Sequence, residues 1–330
     1  MVHEVYISTT PFGEADAIGE SLLQESGFII KRNRIGRKLT AQEVSDQARN
    51  ATVIIAGTED LSKLVETSRS LQMIARVGVG LDGVPLKLCK QKNIAVSWTP
   101  DAVTLAVAEL TIGLMIAAGR FVSQSDRNIR RNLWERPMGK RLGDSTVGII
   151  GFGRIGQHVA RLLLPFSPKQ IFINDIEEKS HEIDVLRKEG LTIEAVSLGQ
   201  IVESVDILSL HVPLWYQTAG MIGIEQLAAM PKGSVLVNTS RGSIVNEADL
   251  YQVLSEGWLG CAALDVYENE PYEGVFTELD NVILTPHLGA CSVDTRARME
   301  KEALDEALRF LQGEELSQRV PKSEYRYSDA

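Results

Sequence analysis

The stretch from Thr146 to Asp175 constrains the fold more than any other. An apolar run, Val147 to Ile150, leads into Gly151, Gly153 and Gly156. A helical spacing then places Ile155, Val159, Leu162 and Leu163 on one side, and a second apolar run, Ile171 to Ile173, stops just short of Asp175. The order is strand, tight glycine turn, helix, strand, acid. Gly151 permits the sharp turn, Gly153 lets phosphate oxygens approach the backbone, and Gly156 lets helix and sheet pack closely. A pyrophosphate would sit on the unpaired N–H groups at the helix start. Asp175, nineteen positions beyond Gly156, would accept hydrogen bonds from an adenosine ribose and repel a 2′-phosphate, which favours NAD over NADP. Three spaced glycines alone describe an ordinary turn. The strands, the helix and the acid together make a dinucleotide signature. Arg154, inside the turn, faces either phosphate or solvent.

A chain of 330 residues is long for a single core and implies two domains. Its net charge of -10 lacks the basic footprint of nucleic-acid binding, although local charge still allows an anionic substrate. Cys89, Cys261 and Cys291 are widely spaced and form no zinc pattern, so no metal is expected and a reducing, cytoplasmic compartment is the simpler reading. The longest apolar zone, Val103 to Ala118, is interrupted by Glu109 and reads as a buried helix rather than a membrane span.

The opening hundred residues alternate between strands and helices. Strands are expected at Val2 to Ile7, Phe28 to Lys31, Val53 to Ala56, Leu71 to Val77 and Asn93 to Ser97. Helices are expected at Ala15 to Ser26, from a Thr40 cap through Ala48 and at Leu61 to Ser68, with Glu43 completing a capping box. This is a small open α/β unit with a parallel sheet. The fourth strand runs into RVGVGLDGV, residues 76 to 84, where exposed N–H groups would hold a small carboxylate or simply form a tight turn. Pro100 suggests a crossing into a second domain, opened by a long helix from about Ala102 to Gly119. The basic stretch from Arg120 to Arg141 reads mostly as solvated surface. Past the glycine turn, strands at Val205 to Leu210, Ser234 to Asn238, Gly260 to Val266 and Val282 to Leu284 alternate with short helices. Polar residues cluster after their ends, where ligands of such sheets bind. A last helix, Val293 to Gly313, precedes a polar tail expected to fray from Pro321 onward.

A hydride leaving a carbon that bears a hydroxyl needs a base for the hydroxyl proton. His287 suits that task near neutral pH, and Glu270 would hold its tautomer. Arg241 would grip a carboxylate and polarise a carbonyl. Spacing alone leaves each with a plainer alternative: a surface arginine, a structural histidine, a glutamate ending a turn.

RVGVGLDGV, the VAEL of residues 107 to 110, VGIIGFGRIG, HVPL with Thr218, VNTSRGSIVNEADL, AALDVYENEP and TPHLGA occur together and in order. In this the chain resembles the D-isomer-specific 2-hydroxyacid dehydrogenase family over almost its whole length. The resemblance implies an α/β fold of two Rossmann-like domains with parallel sheets. The NAD domain, residues 101–290, would be inserted into a split, flavodoxin-like substrate domain made of residues 1–100 and 291–330. It implies Arg241 as the substrate grip, His287 as the acid–base group and Glu270 as its partner. Backbone N–H groups at Val79 and Gly80 are similar to those that hold the substrate carboxylate. Thr104, Gly151, Gly153, Arg154, Ile155, Gly156, Asp175, His211, Val212, Pro213, Thr218, Thr239, Asp265, His287 and Gly289 fall at or beside NAD-contact positions. The long helix resembles one near a two-fold interface, so a homodimer is expected, with no nucleic-acid or membrane partner.

The implied activity is interconversion of a D-2-hydroxy acid and its 2-keto acid, of the phosphoglycerate dehydrogenase type. Phosphoglycerate enzymes often carry an arginine after the third strand, where this chain has Ala56 and Gly57. Arg76 or a basic residue of 130 to 141 would then have to meet a phosphate. A glyoxylate/hydroxypyruvate or other 2-keto acid reductase is the alternative within the class. An NAD(H)-sensing, corepressor-like interaction protein is the alternative outside it. Trp98 either narrows the site or packs.

Overall fold

Short apolar strands joined by helices build two parallel sheets in the computed structural model, which describes residues 3–14 and 27–327. The helix expected at 15 to 26 lies outside the described residues. The chain divides into two compact units, Met1–Val103 with Ala290–Ala330, and Thr104–Gly289.

In the first unit β1 (Glu4–Ile7), β2 (Ile29–Arg32), β3 (Val53–Ala56), β4 (Met73–Arg76) and β5 (Ala95–Ser97) pair in the order β2-β1-β3-β4-β5, all parallel. That is the flavodoxin-like order, with its reversal between β1 and β3. VIIA and MIAR are buried throughout, as parallel strands covered on both faces must be. Helices α1 (Ala41–Gln47), α2 (Ser62–Thr67) and α3 (Leu86–Gln91) cross between strands. The expected capping box is present: Thr40 Oγ1 accepts from Glu43 N–H, and Glu43 accepts from the Thr40 amide at 2.9 Å. Helix α3 was not anticipated, because LKLCKQ is too short to show a helical period, although it buries Leu86 and Cys89.

The second unit opens on α4 (Thr104–Gly119), which is apolar nearly all round and buries Val107, Ala108, Ile112, Met115 and Ala118. Next comes α5 (Val122–Arg130), a helix within the stretch read as solvated surface. Its basic residues are paired locally, Arg130 with Asp126 at 2.8 Å and Arg127 with Asp280 at 3.5 Å. The strands β6 (Thr146–Ile150), β7 (Gln170–Asn174), β8 (Ile193–Ala195), β9 (Ile207–Leu210), β10 (Val235–Asn238), β11 (Cys261–Leu264) and β12 (Val282–Leu284) form one parallel sheet. Its order is β12-β11-β10-β9-β6-β7-β8, so the strand order reverses between β6 and β9. This is the doubly wound dinucleotide-binding topology. The intervening helices are α6 (Arg154–Leu163), α7 (Ser180–Lys188), α8 (Leu198–Ser204), α9 (Ile224–Ala229) and α10 (Glu247–Ser255). Ser197 and Gln200 form a capping box that starts helix α8.

The chain returns to the first unit through α11 (Val293–Leu311), which packs on β3 and β4. Beyond it, buried Glu306 accepts hydrogen bonds from Ser317 N–H at 3.1 Å and Gln318 N–H at 3.0 Å. Trp98 N–H then donates to Gln318 O at 3.1 Å, and Val320 N–H to Val96 O at 3.0 Å. Trp98 is buried and packs with Val320 in the first unit's core. The tail does not fray at Pro321: residues Lys322–Tyr327 form a 3-10 turn, and Tyr325 packs against that core. Among the described residues no single helix is long and apolar enough to cross a membrane, although the bent pair α4 and α5 passes by length and composition.

Candidate active site

The glycine turn sits at the reversal between β6 and β9. Gly151 has φ +91°, and a Cβ there would lie 2.6 Å from the His211 carbonyl at the end of β9. A Cβ on Gly156 would lie 2.1 Å from the Gly151 oxygen. Neither position admits a side chain. Gly153, by contrast, opens onto clear space and begins α6 with no side-chain cap, which leaves room for an anion at the helix start. That is the geometry a phosphate needs. Asp175, half-buried past the end of β7, is tied to the turn: its Oδ2 accepts from Phe152 N–H at 2.6 Å, its Oδ1 from Glu177 N–H at 2.8 Å.

Beside the turn, His211 shares a 2.8 Å hydrogen bond between Nε2 and Ser209 Oγ. Burial pushes its pKa down to about 3, so the ring is neutral. Its Nδ1 is buried without a hydrogen-bond partner among the described residues. An orphaned polar atom next to a phosphate cradle fits a bound dinucleotide. Val212 packs against the turn, and Thr218 closes the segment after Pro213 by donating to Pro213 O at 2.6 Å and accepting from Trp215 N–H at 3.0 Å. Thr239 pairs its hydroxyl with Thr111 at 3.0 Å, and Thr104 is buried at the start of α4.

Three neighbouring strands, β10, β11 and β12, present the ionisable groups at their carboxyl ends. Arg241 follows β10 in a turn clamped by buried Asn238, whose Nδ2 donates to Arg241 O at 2.9 Å while its Oδ1 accepts from Ser240 N–H at 3.0 Å. The next residue, Gly242, allows this turn to lie directly on the Tyr267–Glu268 peptide, where a Cβ would overlap Tyr267 C at 1.9 Å. Glu270 stands three residues further on, and its Oε2 lies 2.9 Å from His287 Nδ1. His287 follows β12 with φ +53°. Its loop wraps Asp265, whose Oδ1 accepts from Thr285 Oγ1 at 2.6 Å and Leu288 N–H at 2.7 Å, and whose Oδ2 accepts from Gly289 N–H at 2.8 Å. Burial raises the Asp265 pKa, and these three donors oppose the rise. The carboxylate therefore holds the histidine loop, a task the sequence did not disclose.

In the first unit, the loop after β4 is shaped by Arg76. Its Nε donates to Gly80 O at 2.8 Å, and Nη1 donates to Val77 O. Gly78 N–H donates to Thr99 Oγ1 at 2.8 Å. Among the described residues, no hydrogen bond from Val79 or Gly80 N–H is recorded, so both amides stay available to an anion. Arg76 is buried and engaged with carbonyls, which removes it as a phosphate grip.

Residues 112–289 match the family described as D-isomer specific 2-hydroxyacid dehydrogenase, NAD binding domain. The chain belongs to the D-isomer-specific 2-hydroxyacid dehydrogenase family. It is an NAD-dependent oxidoreductase of that family. It is 35% identical to the D-3-phosphoglycerate dehydrogenase of Methanocaldococcus jannaschii over 93% of its own length, and spans 57% of that protein. It is 37% identical to the glyoxylate reductase of Korarchaeum cryptofilum, over 77% of each chain. A D-lactate dehydrogenase from Aquifex aeolicus, solved with NAD and lactic acid, shares the fold with a TM-score of 0.82 and 25% identity, over 94% of this chain and 96% of that one.

Proposed function

We propose that the chain interconverts a small D-2-hydroxy acid and its 2-keto acid, with His287, Glu270 and Arg241 as the working side chains. The contact of 2.9 Å between His287 and Glu270, beside the Arg241 turn on adjacent strand ends, carries this reading. NADH, when bound, supplies the hydride. The turn from Gly151 to Gly156, with Asp175, His211, Val212 and Thr218, would hold it. With its Nδ1 proton directed at Glu270, the His287 ring presents Nε2 to the substrate oxygen and exchanges a proton there, while the carboxylate steadies the charged imidazole. Arg241 draws the substrate carboxylate and keto oxygen by charge-assisted hydrogen bonds. The Val79 and Gly80 amides add neutral donors for the carboxylate.

An unphosphorylated substrate is favoured. Ala56 ends β3 and Gly57 follows it, Glu59 is buried just beyond with its Oε1 accepting from Gly57 N–H at 2.9 Å, and Arg76 is engaged elsewhere. A homodimer is part of this reading: Trp134 is 82% exposed and Met138 97% exposed in the segment after α5, apolar surface that a second copy would cover.

Following NADH oxidation with glyoxylate, hydroxypyruvate, pyruvate and phosphohydroxypyruvate tests the proposal. Faster turnover of the plain acids is expected. A preference for the phosphorylated acid would reverse the substrate assignment. No oxidation with any acid would favour an NAD(H)-sensing binding protein. Asp175→Ala should narrow the preference for NADH over NADPH about tenfold, and an unchanged ratio would remove that aspartate from the reading.

A further inference from the structure

Tyr267 is absent from the chemistry above, yet its backbone and its side chain both touch the segments that carry it. Its backbone lies against Gly242, immediately after Arg241. Its N–H donates to Glu270 Oε1 at 3.2 Å, the carboxylate whose other oxygen meets His287. Its hydroxyl lies 3.0 Å from Leu264 O, at the end of β11, and 3.0 Å from Thr285 O, at the end of β12. A phenol has one proton, so the two carbonyls share it. Leu264 precedes Asp265, and Thr285 stands two residues before His287. The hydroxyl thus ties together the two strand ends from which the Glu270 and His287 loops leave.

The ring completes the arrangement. Tyr267 stacks on Tyr272 with centroids 4.2 Å apart and planes 22° apart, and Glu270 lies in the turn between them. Tyr272 in turn accepts from Phe276 N–H at 3.1 Å and stacks on Phe276. An aromatic clasp therefore closes the turn that carries the glutamate. Burial raises the Tyr267 pKa, so the phenol keeps its proton at any working pH and remains a donor.

We propose that Tyr267 is a positioning residue for the His287–Glu270 pair, acting through its hydroxyl on the ends of β11 and β12 and through its amide on Glu270. It need not touch substrate. The proposal rests on the functional reading above for its effect on turnover, but not for its effect on the pair itself. A phenylalanine at this position keeps the stack and loses only the shared proton. Its cost should therefore appear in the geometry of the pair more than in folding.

The test is a proton NMR experiment on the full chain, paired with kinetics. An imidazole N–H that donates to a carboxylate gives a far-downfield resonance. Its loss in His287→Gln and in Glu270→Gln assigns it. In Tyr267→Phe that resonance should move or broaden, and kcat for 2-keto acid reduction should fall about five- to tenfold, with NADH affinity unchanged. An unmoved resonance with the parent kcat would overturn the proposal, even if thermal stability dropped. Should Tyr267→Phe fail to fold, Tyr272→Leu, which opens the clasp from the other side, gives the same readout. If the parent shows the resonance but oxidises no NADH, the functional reading fails, and the resonance alone decides the role of Tyr267.

Discussion

The two sheets share a parallel architecture but treat charge at their strand ends in opposite ways. After β4 in the first unit, Arg76 is turned inward onto the Val77 and Gly80 carbonyls, and after β3 the Glu59 carboxylate accepts from Ser8 and Gly57. In the loop after β4 the Val79 and Gly80 N–H groups remain for a ligand. After β11 and β12 in the second unit, Glu270 and His287 meet side chain to side chain across neighbouring strands. Charge satisfied by backbone makes a rigid loop with neutral donors. Charge paired with another side chain makes a group that can change its protonation. Only the second arrangement can move a proton.

The contrast is broken most directly at His287. His287→Ala should lower kcat/KM for 2-keto acid reduction about 10²- to 10⁴-fold with the far-UV spectrum unchanged, and a smaller loss would deny it the acid–base role. Arg76→Ala should instead show itself in folding. Loss of charge-assisted bonds to two carbonyls should cost about 2–4 kcal/mol in urea unfolding. If its main effect were on kcat with stability intact, the inward reading of the first unit would be wrong.

His211 sharpens the comparison through pH. The fold holds its ring neutral, with the pKa near 3 rather than the ordinary 6.5, while the unfolded chain takes up a proton near 6.5. Its contribution to stability is therefore complete above that value and is lost as pH falls toward 3, with a slope of at most about 1.4 kcal/mol per pH unit. Subtracting the acid unfolding curve of His211→Gln from that of the parent should reveal this slope; parallel curves would mean the ring is solvated. The smallest effect belongs to Thr40, whose replacement by Ala removes one half of the α1 capping box and should lower unfolding free energy by about 1 kcal/mol without touching turnover.

Local features were legible in the sequence. The glycine turn, Asp175 and the Thr40–Glu43 box are set by spacings of a few residues, and steric contact or a single helical turn enforces them. Helix α5 was hidden because its residues are mostly charged or polar. The meeting of Glu270 and His287 was not legible from spacing, since it depends on β11 and β12 being neighbours; family resemblance supplied those residues, and Arg241, as candidates. Tyr267 was missed for a different reason. Its bonds run to main-chain carbonyls of other loops, and a carbonyl leaves no mark on residue identity.

The order in which the chain is made carries a last consequence. Helix α11 covers β3 and β4 but is synthesised only after the whole of Thr104–Gly289. The second unit is one continuous segment and can fold on the ribosome as soon as it emerges. The first sheet must wait, with its outer face unprotected, for roughly two hundred further residues. A translational pause or truncation ahead of α11 should therefore leave a folded dinucleotide domain attached to an exposed, aggregation-prone sheet, which makes α11 the checkpoint for the first unit.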